Sequence, residues 1–310
     1  MKRLQYDRYG GPELMRLDNF ELPTPNKGEV AVQVKFAAIN PIDWKVRNGA
    51  LKMVTGKGFP RAMGNDFSGT VIAIGFGVTR FKPGDAVFGL ARIKESGALG
   101  QAVITVEGLL GKKPDTLSFE DAACLGTPGV TAWNGLVDKA KLTAGMHVFV
   151  NGCTGAVGEA VVQLAKMLGA SVSGSCSANS MPRAQALNLK NVYDYRANDL
   201  SKLTERFDVV YDTAGMMDAD VGLNLTKPSG VYLDIDPTPG KFIRALFNRR
   251  LKPIVCSPRP DILDELARAA EQGKFRLPVA EIVPLNEAIQ LIKALEGGRK
   301  INGKGLVAME

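Results

Sequence analysis

The sequence holds one histidine, His147, in 310 residues. A single imidazole leaves little room for Ser-His-Asp or Cys-His catalysis. It stands at the start of an apolar run and reads as a strand-end residue, not as a catalyst. Cysteine is also scarce: the four, at 124, 153, 176 and 256, form no C-x-x-C pair and none flanks the histidine at zinc spacing. Scattered reduced thiols are the expectation, as in a cytoplasmic protein. No apolar run approaches about 18 residues, so no membrane-spanning helix is expected. The first residues, MKRLQYDRYGG, carry charge but no apolar core, so no secretory signal is expected. Acidic residues are outnumbered, 32 against 39 Lys and Arg, for a net charge of +7. The basic residues are spread along the chain, with no finger spacing and no basic region with heptads, so nucleic acid is not an expected partner. A solvated surface and one phosphate-bearing ligand account for the charge.

What is present centres on residues 147–170, HVFVNGCTGAVGEAVVQLAKMLGA. A short apolar run suits a buried strand. Glycines at 152, 155 and 158 make a turn. Val161, Val162, Leu164, Ala165 and Leu168 then recur at helical spacing, and Gly169 ends the helix. Strand, glycine turn and helix start together offer bare N–H groups and a positive dipole end to an anion. With that context the turn reads as a dinucleotide site, although the spacing is G-x-x-G-x-x-G and not the usual G-x-G-x-x-G.

Before residue 118 the chain reads as short strands and turns with no alternating helix. Residues 29–38 alternate as a half-buried strand, and 71–74, 81–88 and 102–106 continue a β-barrel-like pattern. Ser118 opens a helix as N-cap, with acids in its first turn. Residues 131–141 read as helical. From 147 onward strands (171–174, 191–195, 208–212, 230–235) alternate with helices, including 180–189 with Pro182 in its first turn, as in a doubly wound parallel sheet. Helices are expected at 260–272 and 286–295 and a last strand at 305–309. The fold class is therefore α/β. The organisation is a first domain over 1–118, a cofactor domain over 119–272 inserted into it, and a return over 273–310. One segment stands apart: 240–253 sets Phe242, Ile243, Leu246 and Phe247 on one helical side with five basic residues elsewhere. It reads as a packing helix, a flap beside the cofactor, or a helix making peripheral contact with an anionic membrane.

Ordered motifs over nearly the whole chain resemble the medium-chain dehydrogenase/reductase superfamily. N-P-x-D-x-K-x-R-x-G stands at 40–49, G-x-D-F-S-G at 64–69, F-x-x-G-D-x-V-x-G at 81–89, and T-P-G-V-T-A-W at 127–133. A-x-x-G-x-V-G follows, with Gly152 in place of the Ala, then D-T-A-G at 212–215 and Gly303-Lys304. The resemblance implies a Rossmann domain inserted into a GroES-like β-barrel catalytic domain, with the active site in the cleft between them. Family members are often homodimers.

The zinc-dependent branch has G-H-E where this chain has Gly64, Asn65 and Asp66, and a four-cysteine lobe where residues 89–100 have none. The chain therefore resembles the zinc-independent, quinone oxidoreductase-like branch, and no metal is expected. Without a Lewis acid, acceptors already activated for hydride are favoured, namely quinones and α,β-unsaturated carbonyls. No Asp or Glu follows the second strand over 173–183, so NADPH is the expected cofactor. Expected cofactor contacts are Thr127, Thr131, Gly152, Thr154, Gly155, Ala156, Val157, Gly158, Ser175, Ser177, Arg183, Tyr195 and Lys304. Asn40, Lys45 and Thr131 are the candidates at the reacting end, Lys45 as a donor to a developing oxyanion or else as an exposed charge or a partner for Asp43. Asp43 and Asp66 read as structural. Enoyl-thioester reduction and a low-turnover NADPH-binding sensor or scaffold are the alternatives.

Overall fold

The computed structural model describes every residue except Pro237 and Glu310. The chain opens with strands β1 (Lys2–Tyr6), β2 (Arg16–Asn19) and β3 (Glu29–Ala38), then helices α1 (Pro41–Arg47) and α2 (Lys52–Thr55). Strands β4 (Arg61–Ala62), β5 (Asp66–Ile74), β6 (Ala86–Leu90), β7 (Ala102–Val106) and β8 (Leu110–Lys112) follow, then α3 (Phe119–Ala123) and α4 (Gly126–Trp133). An alternating series comes next: β9 (His147–Asn151), α5 (Ala156–Met167), β10 (Ser171–Cys176), α6 (Met181–Ala186), β11 (Val192–Asp194), β12 (Phe207–Asp212), α7 (Ala219–Leu225), β13 (Thr226–Asp234), α8 (Pro239–Phe247) and β14 (Leu251–Pro253). The chain ends with α9 (Pro260–Glu271), β15 (Val279–Pro284), α10 (Ala288–Glu296) and β16 (Lys304–Ala308).

It divides into two compact units, one of residues 1–127 and 258–310, the other of 128–257. The expected boundaries at 118/119 and 272/273 differ from these for a packing reason. Helix α3 packs on β3, β5 and β6, and α9 packs on β8, so both belong with the first unit.

The first unit is built on β3, which pairs antiparallel with β5, β7 and β16. Its larger sheet runs β15-β16-β3-β5-β6-β8, and β1 lies between β2 and β4 in a second sheet. Val30, Val32 and Val34 enter one apolar core with Phe67, Val87, Leu99 and Val307. The expected half-buried alternation along β3 gives way to near-continuous burial, with Ala31 as enclosed as its valine neighbours, because α3 covers the same sheet. The expectation of no helix before residue 118 is corrected by α1 and α2. At α1, Asn40 and Asp43 form a reciprocal capping box, with Pro41 pre-set in the first turn.

The second unit is a six-stranded parallel sheet in the order β11-β10-β9-β12-β13-β14. The order reverses between β9 and β12, the place where a dinucleotide lies in a Rossmann fold. Ser118 caps α3 by accepting from Asp121 N–H at 3.1 Å. His147 begins β9; its Nε2 lies 2.9 Å from Ser173 Oγ and its ring packs edge-on against Phe207. Burial holds its pKa below the usual imidazole value. Helix α8 has no buried residue, and Phe247 is 88% exposed. That corrects the packing-helix reading of 240–253: the apolar side of α8 faces outward within its unit. Among the described residues no helix is long and apolar enough to cross a membrane.

Candidate active site

The glycine turn joins β9 to α5. Gly152 sits at φ +79°, a left-handed backbone that favours glycine. The N–H groups of Gly152 and Cys153 both donate to Ser175 O at 3.0 Å, which ties the turn to the end of β10. Gly155 is the N-cap of α5 and has no side chain to cap it, so the first-turn amides of Ala156, Val157 and Gly158 have no side-chain acceptor. A Cβ on Gly155 would meet only the Gly152 carbonyl, at 3.4 Å, whereas one on Gly158 would run into that same oxygen. Space lies in front of the helix start and close packing behind it. That cradle fits a pyrophosphate, held by backbone N–H groups and the helix dipole. Thr154 is half-buried on the same turn. Thr213 Oγ1 donates to Asn151 O at 2.7 Å, which brings the end of β12 against the turn.

Asp212, fully buried, shapes that third edge. It accepts from Asn151 Nδ2 (2.8 Å) and from the N–H groups of Ala214, Gly215 and Met217 at 2.8–3.1 Å. Burial pushes its carboxyl up while those donors hold it down. Its part in the site escaped sequence reasoning, although it opens the D-T-A-G motif.

Past β10 the expected contacts divide. Ser175 is fully buried and donates to Asn151 Oδ1 at 2.6 Å, so it supports the turn and does not face outward. Ser177 is half-buried, its hydroxyl 3.1 Å from that of Ser180. Arg183 pairs with the buried Glu159 on α5. Tyr195 is exposed beyond the neighbouring strand β11, with the Arg196 guanidinium 5.6 Å from its ring centroid. Arg196 was not singled out from the sequence; its adjacency to Tyr195 was the available signal.

In the first unit, Asn40, Asp43, Asp66, Thr127 and Lys304 form one buried array. Lys304 Nζ donates to Ile39 O (2.8 Å) and Asn40 Oδ1 (2.5 Å). Asn40 Nδ2 donates to Asp66 Oδ2 (3.0 Å) and Ala38 O (3.2 Å). Asp66 accepts from Thr127 N–H (2.9 Å) and Thr127 Oγ1 (2.5 Å). Asn65, at the place of the zinc branch's histidine, donates to Thr127 Oγ1 at 3.2 Å. Burial raises both carboxyls, that of Asp43 to about 7, with Lys304 opposing. Both Asn40 side-chain N–H groups are therefore used within the protein, and Lys304 is a buried structural cation. Asn40, expected at the reacting end, and Lys304, expected as a cofactor contact, are thus bonded to each other. Asp43 takes part in this array by accepting from Asn40 N–H, and Lys45 is exposed on α1. Thr131, on α4, is buried and accepts from Tyr211 Oη through its carbonyl at 2.7 Å.

A parallel sheet with a glycine turn at its switch point, carried in one chain with a β-unit of this topology, is the make-up of a nicotinamide-nucleotide oxidoreductase. The family model described as "Alcohol dehydrogenase GroES-like domain" matches residues 26–115, and the one described as "Zinc-binding dehydrogenase" matches 187–307. The chain is 32% identical to the NADPH-dependent alkenal/one oxidoreductase, chloroplastic, of Arabidopsis thaliana, over 91% of this chain and 72% of that protein. It is 27% identical to the chloroplast envelope quinone oxidoreductase homolog of the same plant, over 93% and 92%. The solved structure of the quinone oxidoreductase from Coxiella burnetii matches with TM-score 0.89 at 29% identity, over 100% of this chain and 99% of that one. The chain belongs to the medium-chain dehydrogenase/reductase superfamily, in its quinone oxidoreductase-like branch. Among the described residues no group of three or more His, Cys, Asp or Glu side chains could hold a metal ion; Asp66 accepts from Asn40 and Thr127, and Asp43 from Asn40.

Proposed function

We propose that this protein is an NADPH-dependent, zinc-independent reductase of quinones or α,β-unsaturated carbonyl compounds. The observation that carries the reading is the β9–α5 turn: it offers bare helix-start amides to a pyrophosphate, and no acidic side chain follows β10 to repel a 2′-phosphate. NADPH, when bound, supplies the hydride. The protein's share is to bind and orient. The amides of Ala156, Val157 and Gly158 hold the pyrophosphate, and Ser177, Tyr195 and Arg196 receive the 2′-phosphate. Asp194, the nearest acid on β11, is turned into its own loop, accepting from Arg196 N–H at 3.0 Å. Lys45 and Thr131 are the groups proposed to meet the acceptor, which takes its proton from solvent after hydride arrival. Acceptors of this kind are polarised already, so a donor set without a metal suffices. The relatives named for quinones and alkenals support the acceptor class.

The test is calorimetric binding of NADPH and NADH, followed by NADPH oxidation with quinones, enones and an enoyl thioester. NADPH binding at least about tenfold tighter than NADH is expected, with Arg196→Ala weakening NADPH about tenfold and sparing NADH. An NADH preference overturns the cofactor assignment. Turnover confined to the thioester favours enoyl reduction, and tight NADPH binding with no turnover favours a sensor.

A further inference from the structure

The buried array of the first unit does more than fill space. Two carboxylates, Asp43 and Asp66, feel the charge of one ammonium, Lys304, which reaches Asp66 through the Asn40 amide, and all three are buried. Each polar atom of the array ends on a chain segment that starts something. Asn40 is the N-cap of α1, which carries Lys45. Thr127 lies in the first turn of α4, which carries Thr131. Lys304 opens the last strand, β16, and its side chain also grips the Ile39 carbonyl. Gly126 fits the same design: a Cβ there would approach the Asp66 carboxylate to 3.0 Å, so glycine lets α4 start against it.

We propose that Lys304 and Asp66 are positioning residues that set the starts of α1 and α4 together, through Asn40 and Thr127. A buried charge with one partner removed is costly, whereas a fully bonded network holds one geometry. The ammonium is the element common to both arms. Through Asn40 Oδ1 it fixes the amide that donates to Asp66, and Asp66 in turn fixes Thr127. Loss of Lys304 therefore reaches Thr127 by way of Asn40 and Asp66. In this proposal Lys304 has a part in geometry and not in cofactor affinity.

The kinetic part of the test rests on the proposed reductase reading; the structural part does not. Lys304→Met, Lys304→Arg and Asp66→Asn are compared with the parent in the intact chain, with thermal melting as the check on folding. Misplaced helix starts are expected to lower kcat about 10- to 100-fold in Lys304→Met. The Kd for NADPH is expected to stay within about twofold, as for an independent site. Lys304→Arg, which keeps a buried cation, is expected to recover most of kcat. Amide hydrogen exchange at Thr127 is expected to speed in Lys304→Met, with no acceptor or turnover involved. Asp66→Asn keeps the fold testable should Lys304→Met melt below assay temperature, and is expected to show the same kcat loss and faster exchange. An NADPH Kd raised about tenfold with kcat held makes Lys304 a cofactor ligand and overturns the proposal. Unchanged Thr127 exchange in both Lys304→Met and Asp66→Asn overturns it even if no acceptor is ever reduced.

Discussion

Replacing Asp43 by Asn isolates the charge imbalance of the buried array. Asp43 accepts from Asn40 N–H at 2.8 Å, and an Asn side chain can accept the same bond. Its carboxyl lies at about 7, against 3.8 for the unperturbed group, first because burial disfavours the charged form and then because Asp66 is a like charge nearby. Lys304 opposes both effects but serves two acids. The folded protein therefore holds a proton that the unfolded chain has released between about pH 4 and pH 7. Stability from this group is fully present below pH 3.8 and is lost as pH rises through 7. At about 1.36 kcal/mol per pKa unit the whole effect is about 4 kcal/mol, and the part falling between pH 5 and 8 is about 3 kcal/mol. In Asp43→Asn the remaining Asp66 and Lys304 form a matched pair, so that slope disappears. Urea unfolding at pH 5, 6, 7 and 8 reads the difference. The variant is expected to gain on the parent by about 3 kcal/mol across that range, since all other groups are common to both. Parallel stability curves refute the reasoning, because they mean that Asp43 holds no extra proton in the folded protein.

Two further perturbations test the site and its support. Gly158→Ala places a methyl against the Gly152 carbonyl and 2.9 Å from Cys153 Cα. Helix α5 must back away from the turn, so the NADPH Kd by calorimetry is expected to rise at least about tenfold; an unchanged Kd removes the turn from the cofactor site. Arg47, fully buried, donates to Glu296 Oε1 at 2.6 Å and to Gly10 O at 3.1 Å. Arg47→Met is expected to cost about 3 kcal/mol in urea unfolding, with Glu296→Gln costing less because Glu296 is partly solvated.

How far the sequence could be read depended on whether the signal was local. The β9–α5 turn was legible because strand, glycines and amphipathic helix are contiguous, and the parallel sheet followed from the alternation after residue 147. Helix α1 was not anticipated, although Asn40, Pro41 and Asp43 spell out its capping box, because seven residues are too few for an apolar period to show. The cofactor contacts divide along the same line. Gly152 to Gly158 stand on one turn, as expected. Ser175 turned inward because residues on a strand alternate faces, and Arg183 turned toward Glu159, a partner on another helix that no spacing rule connects to it. The buried array is the extreme case. Asn40, Asp66, Thr127 and Lys304 lie far apart in the chain, and each looks like an isolated motif letter. Only the pairing of β3 with β5 and β16 sets Asp66 opposite Ala38, and Leu306, two residues past Lys304, opposite that same residue. Asn40 was placed at the reacting end and Lys304 among the cofactor contacts because the resemblance supplied the positions without their neighbours. Placed among those neighbours, the two residues are bonded to each other at the start of α1, a pairing that the separate motif letters could not show.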